Sequence, residues 1–367
     1  MRIGFNCRFF HADYVTGVER YARNLLCSLI ENNSGHELVL FGCGQESVPG
    51  FNQAEIRFSG WCGYKSAICR QLWEQIILPG LASSSKVDVL INPANTAPLR
   101  FGRNVMVIHD LAFLEHPEWF SQGFRVLYNL VVPRAARRAE SIITVSEFSR
   151  SRIIELLHVD PQKVHVVYQG KDSVFKPASD EEIARTTSKF NISRPYILFV
   201  GSIAPRKNLK TAISAYNLVR QRLSTMHIFV VVGVNSFQFP KMEVTAAPEG
   251  VMLVGYAGDD DLPGLYTGAD VLVYPSLYEG FGLPPLEAMA CGTPVITSNC
   301  SSLPEVVGNA GLMTDPTDVG ALADAICSVL TDNQLAQTLS SRGLEQAGQF
   351  TWQKTAKRTL EVLTTSI

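Results

Sequence analysis

Residues 278–294 read YEGFGLPPLEAMACGTP and contain the strongest folding signal in the chain. The run 270–274 just before them is apolar and β-prone, which predicts a buried strand. Pro284 and Pro285 suit the first turn of a helix, and Gly292 suits its end. The segment therefore predicts a strand, a glycine-rich turn and a helix in succession.

The turn between this strand and helix has the features of an anion site beside a hydroxyl site. The amides of Phe281, Gly282 and Leu283 stand where backbone N–H groups lack helical partners and where the helix dipole favours phosphate. Glu287 lies one turn inside the helix and leans back toward its start, while Glu279 lies on the other side of the turn. Two carboxylates would repel bare phosphate, but they can accept hydrogen bonds from the hydroxyls of a sugar nucleotide whose diphosphate is neutralised. The alternative is an ordinary turn whose glutamates are solvated or act as caps.

A second turn, residues 201–210, follows a predicted strand and opens a predicted helix. Its Arg206 and Lys207 would neutralise a diphosphate held by the first turn, Arg as a planar fork and Lys as a compact charge. The alternative is a solvated basic turn. The presence of Glu279 and Glu287 in the same predicted domain favours the diphosphate interpretation.

Two further candidates lie in the first half of the chain. His109 ends an apolar run, and a polar residue at the carboxyl end of a parallel strand faces the crevice in which such sheets bind ligands. Its alternative is a buried histidine hydrogen-bonded to Asp110. Gly17 lies between Thr16 and Glu19, which are spaced as a capping box, and its missing side chain would allow close approach of a ligand.

Strand-like runs alternate with helix-length amphipathic segments, which predicts parallel α/β sheets. We expect two Rossmann-like domains, residues 1–173 and 174–348, facing across a cleft, with a last helix in 349–367 that crosses back onto the first domain. The boundary falls before a capping box of Ser179 and Glu182. The predicted strands are 2–6, 37–41, 87–92, 104–109, 141–145, 164–167, 196–200, 227–232, 251–254, 270–274 and 295–297.

Length, charge and cysteine usage exclude several classes of protein. At 367 residues the chain is long enough for two domains, and its hydrophobic fraction of 46% supplies both cores. The formal net charge of -2 gives no basis for a nucleic-acid partner. The cysteines are scattered and form no Cys-x-x-Cys pair, which argues against zinc and against a disulfide framework.

No apolar run is long enough to span a bilayer and the N-terminus shows no signal-peptide core, so we expect a cytoplasmic protein. Arg134, Arg137 and Arg138 follow the apolar segment 124–132. A basic, partly apolar helix of this kind is a candidate for peripheral contact with the cytoplasmic face of the inner membrane. The alternative is a solvated helix face.

The chain as a whole resembles the family 4 glycosyltransferases, which are retaining enzymes of the GT-B fold. The resemblance is strongest over residues 254–298, where Glu279 and Glu287 match the family's Glu-(seven residues)-Glu signature. Within the family the chain is most similar to bacterial polysaccharide and O-antigen mannosyltransferases. The other segments that support the resemblance are residues 16–17, 108–110, 144–149 and 205–208.

The resemblance implies a catalytic role for His109 and Glu279, both beside the donor sugar. It also implies that no metal or other cofactor is needed, since positive side chains and helix termini stabilise the leaving diphosphate. The first domain would bind the acceptor and the second the nucleotide sugar. The donor-binding residues that it implies are Gly17, Arg206, Lys207, Phe281, Gly282, Leu283 and Glu287.

Within that set, Arg206 and Lys207 would hold the diphosphate, and Glu287 the ribose. The chain departs from the family pattern at Ser202, where many members have Arg, and at residues 169–171, which read Gln-Gly-Lys in place of the more usual Asn-Gly-Val. Glu19 also stands where Gly is frequent. Phosphate binding should therefore depend more on the two cations of the second turn.

These features lead to one hypothesis, the retaining transfer of a hexose, mannose from GDP-mannose, onto a hydroxyl of a lipid-linked saccharide. A leaving phosphate oxygen would accept the proton of that hydroxyl, which explains why the sequence shows no general-base pair. The alternatives are a UDP- or dTDP-sugar donor, a sugar-nucleotide epimerase, a phosphorylase and a non-enzymatic two-lobed binding protein. Neither half has the Gly-x-Gly-x-x-Gly turn of a dinucleotide-dependent dehydrogenase.

Overall fold

The computed structural model describes residues 1–10, 17–32, 35–42, 56–59, 67–234 and 248–366. The chain divides into two compact units, and each contains a parallel β-sheet. This is the α/β class that the alternating pattern predicts. Unit 1 comprises Met1–Leu114, Arg125–Gly170 and Thr351–Ile367, and unit 2 comprises Glu115–Phe124 and Lys171–Phe350.

Unit 1 contains a seven-stranded sheet. Its strands are β1 (Arg2–Asn6), β2 (Glu37–Phe41), β3 (Ile56–Ser59), β4 (Val89–Asn92), β5 (Asn104–Ile108), β6 (Ser141–Thr144) and β7 (Val164–Val166). The helices of this part of the chain are α1 (Gly17–Glu31), α2 (Ala67–Leu72), a π-helix (Trp73–Ile77), α3 (Leu78–Ser84), α4 (Ala112–Glu115), a 3-10 helix (Pro117–Trp119), α5 (Gln122–Arg138), α6 (Glu147–Leu157) and a 3-10 helix (Pro161–Lys163).

Unit 2 contains a six-stranded sheet. Its strands are β8 (Tyr196–Val200), β9 (Ile228–Val232), β10 (Val251–Gly255), β11 (Val271–Tyr274), β12 (Val295–Ser298) and β13 (Leu312–Thr314). Its helices are α7 (Asp180–Lys189), a 3-10 helix (Pro205–Lys207), α8 (Leu209–Leu223), α9 (Leu262–Thr267), α10 (Leu283–Ala290), α11 (Leu303–Val307), a 3-10 helix (Gly308–Ala310), α12 (Val319–Thr331) and α13 (Asn333–Ala347).

The strand order places one crevice in each unit. The orders are β3-β2-β1-β4-β5-β6-β7 and β10-β9-β8-β11-β12-β13, with every pairing parallel. Counted within each unit, both contain the order 3-2-1-4-5-6 of dinucleotide-binding domains. After the first strand the chain continues to one side of the sheet, and after the fourth strand it continues to the other side. This leaves a crevice outside the carboxyl ends of these two strands, and ligands of such sheets bind in that crevice. These strands are β1 and β4 in unit 1, and β8 and β11 in unit 2.

The cores consist of apolar strands covered by helices. In unit 2, Ile197 and Phe199 of β8 and Val271 and Val273 of β11 are fully buried, in one cluster with apolar side chains of α8 and α12. Strands buried on both faces explain why the strand runs of the sequence are continuously apolar. Truncating a buried Phe199 would cost about 3–5 kcal/mol, so this sheet rigidly fixes the turns that follow its strands.

All the predicted strands are present, with small shifts of their bounds, whereas β3 and β13 were not predicted. Both missed strands lie at a sheet edge. Strand β13 has only three residues, and β3 reads Ile-Arg-Phe-Ser. An edge strand pairs on one side only and needs no continuous apolar run, so its sequence signal is weak.

The last helix, α14 (Trp352–Thr365), belongs to unit 1, which confirms the predicted return of the C-terminal helix to the N-terminal domain. The Thr351 hydroxyl caps its first turn by accepting from the Lys354 amide at 3.3 Å. The Thr355 hydroxyl donates to the Tyr168 carbonyl at 2.8 Å. The helix also packs against α1.

A close backbone approach accompanies this return. A Cβ atom at Gly170 would lie 2.2 Å from the backbone nitrogen of Trp352, so only glycine allows the two segments to pass. The Trp352 ring in turn meets Tyr21 of α1 edge-on, with centroids 5.6 Å apart. The Gln-Gly-Lys segment thus retains the one residue that this packing requires.

The predicted domain boundary, between residues 173 and 174, lies close to the point where the contacts divide the chain, between Gly170 and Lys171. The predicted capping box at the start of α7 is present. The Ser179 hydroxyl accepts from the Glu182 amide at 3.3 Å, and the Glu182 carboxylate accepts from the Ser179 amide at 2.7 Å.

One segment groups differently from the prediction. The sequence places Glu115–Phe124 within the first domain, but its contacts assign it to unit 2. The Tyr278 hydroxyl donates to the Glu115 carboxylate at 2.7 Å, and the His116 ring meets the Tyr278 ring edge-on at 5.7 Å.

Within the described ranges, no helix combines the length and the apolarity that a bilayer span requires.

Candidate active site

Two turns meet at the crevice of unit 2, one after β8 and one after β11. The Leu277 amide donates to the Arg206 carbonyl at 2.8 Å, and the Ser276 hydroxyl oxygen lies 3.0 Å from the same carbonyl. The Asn208 side-chain amide donates to the Pro275 carbonyl at 3.0 Å. These bonds join the two segments that the sequence singled out separately.

The carboxylate of Glu279 lies between the two predicted cations. Its Oε2 is 2.9 Å from a guanidinium nitrogen of Arg206, and its Oε1 is 2.6 Å from Nζ of Lys207. The side chains of Glu279 and Lys207 are both 7% exposed, whereas that of Arg206 is 19% exposed. The structure therefore unites three predicted site residues in one buried cluster with two positive charges and one negative charge.

Two hydroxyl groups complete the coordination of Glu279. Oε1 accepts from the Tyr274 hydroxyl at 3.0 Å and from the Ser276 hydroxyl at 2.5 Å. The Tyr274 hydroxyl also contacts Nζ of Lys207. Tyr274 ends β11 and is fully buried, so the sheet itself fixes its position.

The environment of Glu279 keeps it ionised. Burial by itself would raise the pKa of this carboxyl, but the charges of Arg206 and Lys207, with hydrogen bonds from Lys207 and Ser276, outweigh burial and lower the pKa from 4.5 to about 2. Burial and then the charge of Glu279 raise the pKa of Tyr274 well above 10.0. At neutral pH the carboxylate is charged and the phenol is protonated, so Glu279 can accept hydrogen bonds but cannot donate a proton.

Two serines beyond β12 fix the backbone of the Glu279 turn. The Ser301 hydroxyl accepts from the Glu279 amide at 3.1 Å. The Ser302 hydroxyl reaches the carbonyls of Glu279 and Phe281, at 3.0 and 2.7 Å. Because β12 is the neighbour of β11, these serines face the turn directly.

Helix α10 begins and ends where the sequence predicts. Its first residue is Leu283, the prolines occupy its first turn, and Gly282 precedes it with φ at +117°. A Cβ at Gly282 would lie 2.8 Å from a methyl of Leu303, so glycine is required for both conformation and space. Gly292, with φ at +77°, follows the helix end. The proposed phosphate contacts of residues 281–283 remain a prediction.

Glu287 lies within α10 and is buried, at 4% exposure. Its Oε2 accepts from the Tyr266 hydroxyl at 2.8 Å. Its charge also contributes to the raised pKa of Tyr274, after the larger effects of burial and Glu279, which places it in the same neighbourhood. Its role as a ribose ligand remains a prediction.

His109 follows β5 in unit 1 and is 9% exposed. Its Nε2 lies 2.9 Å from the Pro93 carbonyl, which requires a proton on Nε2 and leaves Nδ1 as the acceptor. The ring meets Tyr21 edge-on, with centroids 4.7 Å apart. Burial lowers the pKa of His109, against the opposing effects of the Pro93 hydrogen bond and the Asp110 charge, so the ring is neutral at pH 7.

The alternative of a His109–Asp110 hydrogen bond is not what these contacts show. Asp110 instead accepts from the Ala112 amide at 3.1 Å and caps α4. Gly17 is the exposed first residue of α1, and its ligand contact remains a prediction. Thr16 lies outside the described residues, while Glu19 is buried and pairs with Arg23 at 2.8 Å.

Sequence reasoning missed the groups that orient Glu279. Tyr274 enters the sequence prediction only as the end of an apolar strand, and Ser276, Ser301 and Ser302 do not enter it at all. A weak signal existed, since hydroxyl residues cluster just after the neighbouring strands β11 and β12. In the part of the chain described, no group of three or more His, Cys, Asp or Glu residues forms a metal-ligand cluster.

Comparison with known proteins agrees with this fold. Residues 180–346 match the family described as Glycosyl transferases group 1, and residues 15–174 match Glycosyltransferase Family 4. O-antigen chain mannosyltransferase B of Escherichia coli is 36% identical over 269 residues, which are 72% of this chain and 70% of that protein. The serotype-specific mannosyltransferase WbdA of Escherichia coli is 32% identical over 282 residues, 74% of this chain but only 34% of that longer protein.

Solved structures share the fold at low sequence identity. The Anabaena protein Alr3699/HepE, determined in complex with UDP and glucose, has a TM-score of 0.74 at 21% identity, over 100% of both chains. The two sheets thus have the GT-B fold, and the two family matches show a glycosyltransferase. The chain belongs to glycosyltransferase family 4, as its sequence resemblance predicts.

Proposed function

We propose that the chain transfers mannose from GDP-mannose to a hydroxyl of a lipid-linked saccharide, with retention of anomeric configuration, in the synthesis of a cell-surface polysaccharide. The observation that supports this most directly is the buried cluster of Arg206, Lys207 and Glu279 at the crevice of unit 2. A diphosphate needs cations to leave, and a sugar needs a hydrogen-bond acceptor for its hydroxyls. The cluster offers both at the place where the turns after β8 and β11 meet.

The charges of the cluster suit leaving-group stabilisation. In the transfer, the bond from the anomeric carbon to the diphosphate oxygen breaks and its electron pair stays on that oxygen. The acceptor hydroxyl oxygen forms the new bond on the same face, and its proton passes to the leaving phosphate oxygen. Arg206 and Lys207 would stabilise the negative charge that develops on the diphosphate, which is the role that a metal ion has in other enzymes. We therefore expect activity to persist in EDTA.

The electrostatics of Glu279 favour a binding role over a nucleophilic one. Two cations and two hydroxyls already share its carboxylate, which lowers its nucleophilicity. With a pKa of about 2 it remains charged and can accept hydrogen bonds from sugar hydroxyls. His109, neutral because burial lowers its pKa, would contact the donor without adding a positive charge.

The identity of the sugar is inferred from relatives. O-antigen chain mannosyltransferase B and WbdA are both named for mannose transfer, which supports a mannose donor and a polysaccharide acceptor here. The UDP bound to HepE leaves a uridine nucleotide as the second candidate. Thermal unfolding with GDP-mannose, UDP-glucose, UDP-galactose and a dTDP-sugar distinguishes them, because a ligand of the native state raises Tm. We expect the largest rise with GDP-mannose.

The reaction itself is tested by product release. With GDP-mannose and a lipid-linked saccharide, GDP should accumulate only when the acceptor is present, and the mannosyl linkage should have the donor's anomeric configuration by NMR. An epimerase would change the sugar without releasing GDP. GDP-mannose consumption without an acceptor, or no turnover with any donor and acceptor of the panel, would contradict the proposal.

Helix α5 supports a peripheral membrane contact for the acceptor. Val126 and Leu130 are exposed at 63% and 52%, and Arg134 and Arg138 continue the same four-residue spacing. Residues four apart lie on one face of a helix, so this face joins an apolar end to a basic end. We expect sedimentation with vesicles containing anionic lipid, and its loss in a Val126→Ser, Leu130→Ser variant. Equal binding by the variant would exclude this face.

A further inference from the structure

Glu279 is paired with the same two cations that the proposed diphosphate needs. Each carboxylate oxygen takes one cation, Oε2 with Arg206 at 2.9 Å and Oε1 with Lys207 at 2.6 Å. A diphosphate held by both cations must therefore replace these ion pairs or share them with a carboxylate of the same charge. The two anions compete for one binding position.

We propose that Glu279 is the internal counter-ion of Arg206 and Lys207 and that it drives release of the nucleoside diphosphate after transfer. This inference rests on the proposed function. While the donor is intact, the sugar hydroxyls give the Glu279 carboxylate alternative hydrogen-bond partners. Once the sugar has moved to the acceptor, those partners are gone. The carboxylate then pairs again with both cations and displaces the diphosphate.

The surroundings of Glu279 favour movement of the cations over movement of the carboxylate. Tyr274 and Ser276 hold Oε1 by hydrogen bonds of their own in addition to its ion pairs, although the Tyr274 hydroxyl also contacts Lys207. The Glu279 backbone is bonded on both sides, through its amide to Ser301 and through its carbonyl to Ser302. The carboxylate is thus fixed at one place in both stages of the exchange.

The cations have longer side chains than Glu279, although Lys207 is as buried as Glu279, at 7% exposure, and Arg206 also donates to the Tyr278 carbonyl at 3.2 Å. Lys207 is an ammonium on a flexible four-carbon stem. Arg206 is the most exposed member of the cluster, at 19%, and can turn toward a ligand without crossing the core. Both cations belong to the short 3-10 helix after β8, whereas Glu279 belongs to the turn after β11. A diphosphate can therefore draw the cations away while Glu279 stays in place.

The test compares GDP binding by calorimetry in wild type, Glu279→Gln and Asp324→Asn. Asp324 is the matched control, because it also pairs with an arginine of unit 2, Arg222, at 2.6 Å, but its side chain is 72% exposed. Removing a competing charge at this distance should tighten GDP binding about tenfold or more. The control should stay within about twofold of wild type, since exposed pairs contribute little.

A second measurement separates competition from a general charge effect. Loss of a negative charge alone would tighten GDP and GDP-mannose equally. Competition predicts that Glu279→Gln tightens GDP but not GDP-mannose, because the variant also replaces one acceptor oxygen for the sugar hydroxyls with an NH2 donor and removes the charge that strengthens the other. Equal or weaker GDP binding by Glu279→Gln, or equal tightening of both ligands, would overturn the inference and leave the transferase proposal intact.

If wild type and variants bind none of GDP, UDP, GDP-mannose or UDP-glucose, the proposed function fails and the inference fails with it. If Glu279→Gln does not fold, Glu279→Asp provides the test. Its shorter side chain draws the charge away from the cations, so GDP binding should tighten by a smaller factor, and unchanged binding would overturn the inference.

Discussion

Each unit buries an ion cluster near the end of its first strand, and the two clusters differ in charge balance. In unit 1, Arg8 follows β1 and its guanidinium lies 2.5 Å from the carboxylate of Glu74, which is fully buried in the π-helix. In unit 2, Arg206 and Lys207 follow β8 and share Glu279. The first cluster has one positive charge for one negative, and the second has two for one.

Neutral side chains donate the remaining hydrogen bonds to the carboxylate of the unit 1 cluster. The Glu74 carboxylate accepts from Asn6 at 3.0 Å and Thr96 at 3.1 Å, and its other oxygen accepts from Gln71 and Gln75 at 3.0 and 3.2 Å. A buried carboxylate that accepts from four neutral donors in this way serves to hold the fold together. An excess positive charge, by contrast, is costly to bury unless an anion arrives. We therefore expect substitutions in the unit 1 cluster to lower mainly the free energy of unfolding, and substitutions in the unit 2 cluster to change mainly ligand binding and turnover.

The largest expected effect is on transfer. Glu279→Ala removes the proposed acceptor for the sugar hydroxyls, so acceptor-dependent GDP release should fall about 10³-fold or more. Because Lys207 is buried and loses its counter-ion, the unfolding free energy should also fall, by about 3–5 kcal/mol. Steady-state assays with circular dichroism of the same samples measure both quantities. Near-wild-type turnover in a folded Glu279→Ala protein would remove Glu279 from the mechanism.

Breaking the unit 1 cluster should act on stability. Arg8→Met leaves the Glu74 carboxylate buried without its cation and should lower the free energy of unfolding by about 3–5 kcal/mol. Urea titration measures this change. The matched control is Arg222→Met, which breaks the exposed pair with Asp324 and should cost less than about 1 kcal/mol. Equal losses in the two variants would show that burial of the pair does not matter.

Removing one cation of unit 2 should act on the ligand. Lys207→Met leaves Glu279 paired with Arg206, and GDP should bind about 100-fold more weakly, which is about 2.7 kcal/mol. Lys189→Met is the control, since Lys189 also pairs with a buried carboxylate of unit 2, Asp261, but is 54% exposed. Calorimetry should show little change for the control. Similar GDP affinity in all three proteins would separate Lys207 from the diphosphate.

The pH dependence of stability tests the charge of Glu279. Its pKa falls from 4.5 to about 2 on folding, so its contribution is fully present above pH 4.5 and is lost as the pH falls toward 2. Between about pH 6 and pH 3, wild type should lose about 2 kcal/mol more of its unfolding free energy than Glu279→Gln. Parallel urea titrations at several pH values measure the difference. Identical profiles would contradict the lowered pKa.

The smallest effect is expected at Tyr274. Tyr274→Phe keeps the buried ring and removes the hydroxyl that contacts Glu279 and Lys207. Loss of one buried hydrogen bond to a charged group should lower the unfolding free energy by about 1–2 kcal/mol. The less firmly held carboxylate should also raise the KM for the donor. Unchanged KM and stability would mean that Ser276 alone positions Glu279.

Much of unit 2 could be predicted because its signals are local. The prolines at 284 and 285 and the glycines at 282 and 292 set the bounds of α10, and the turns with Arg206, Lys207 and Glu279 follow strands that are visible as apolar runs. The strand order of such sheets then brings the two turns together. Both the fold and the main charged residues of the candidate site follow from these features.

The remaining features depend on contacts between distant segments. Glu74 gives no sign in the sequence that it will meet Arg8, because the π-helix that carries it was not predicted. Tyr274, Ser301 and Ser302 acquire their roles only when β11 and β12 align. The tautomer of His109 likewise depends on the Pro93 carbonyl, a contact that no local pattern encodes.

The return of α14 to unit 1 places the larger part of unit 2, Lys171–Phe350, between two segments of unit 1. Cutting the polypeptide at residue 170 would therefore not separate two self-sufficient halves. The amino-terminal fragment would lose α14 and expose the face of α1 that Trp352 covers. A peptide of residues 351–366, added in trans, should restore its solubility, whereas a piece cut from 171 to 350 would lack Glu115–Phe124 and with it the hydrogen bond from Tyr278 to Glu115.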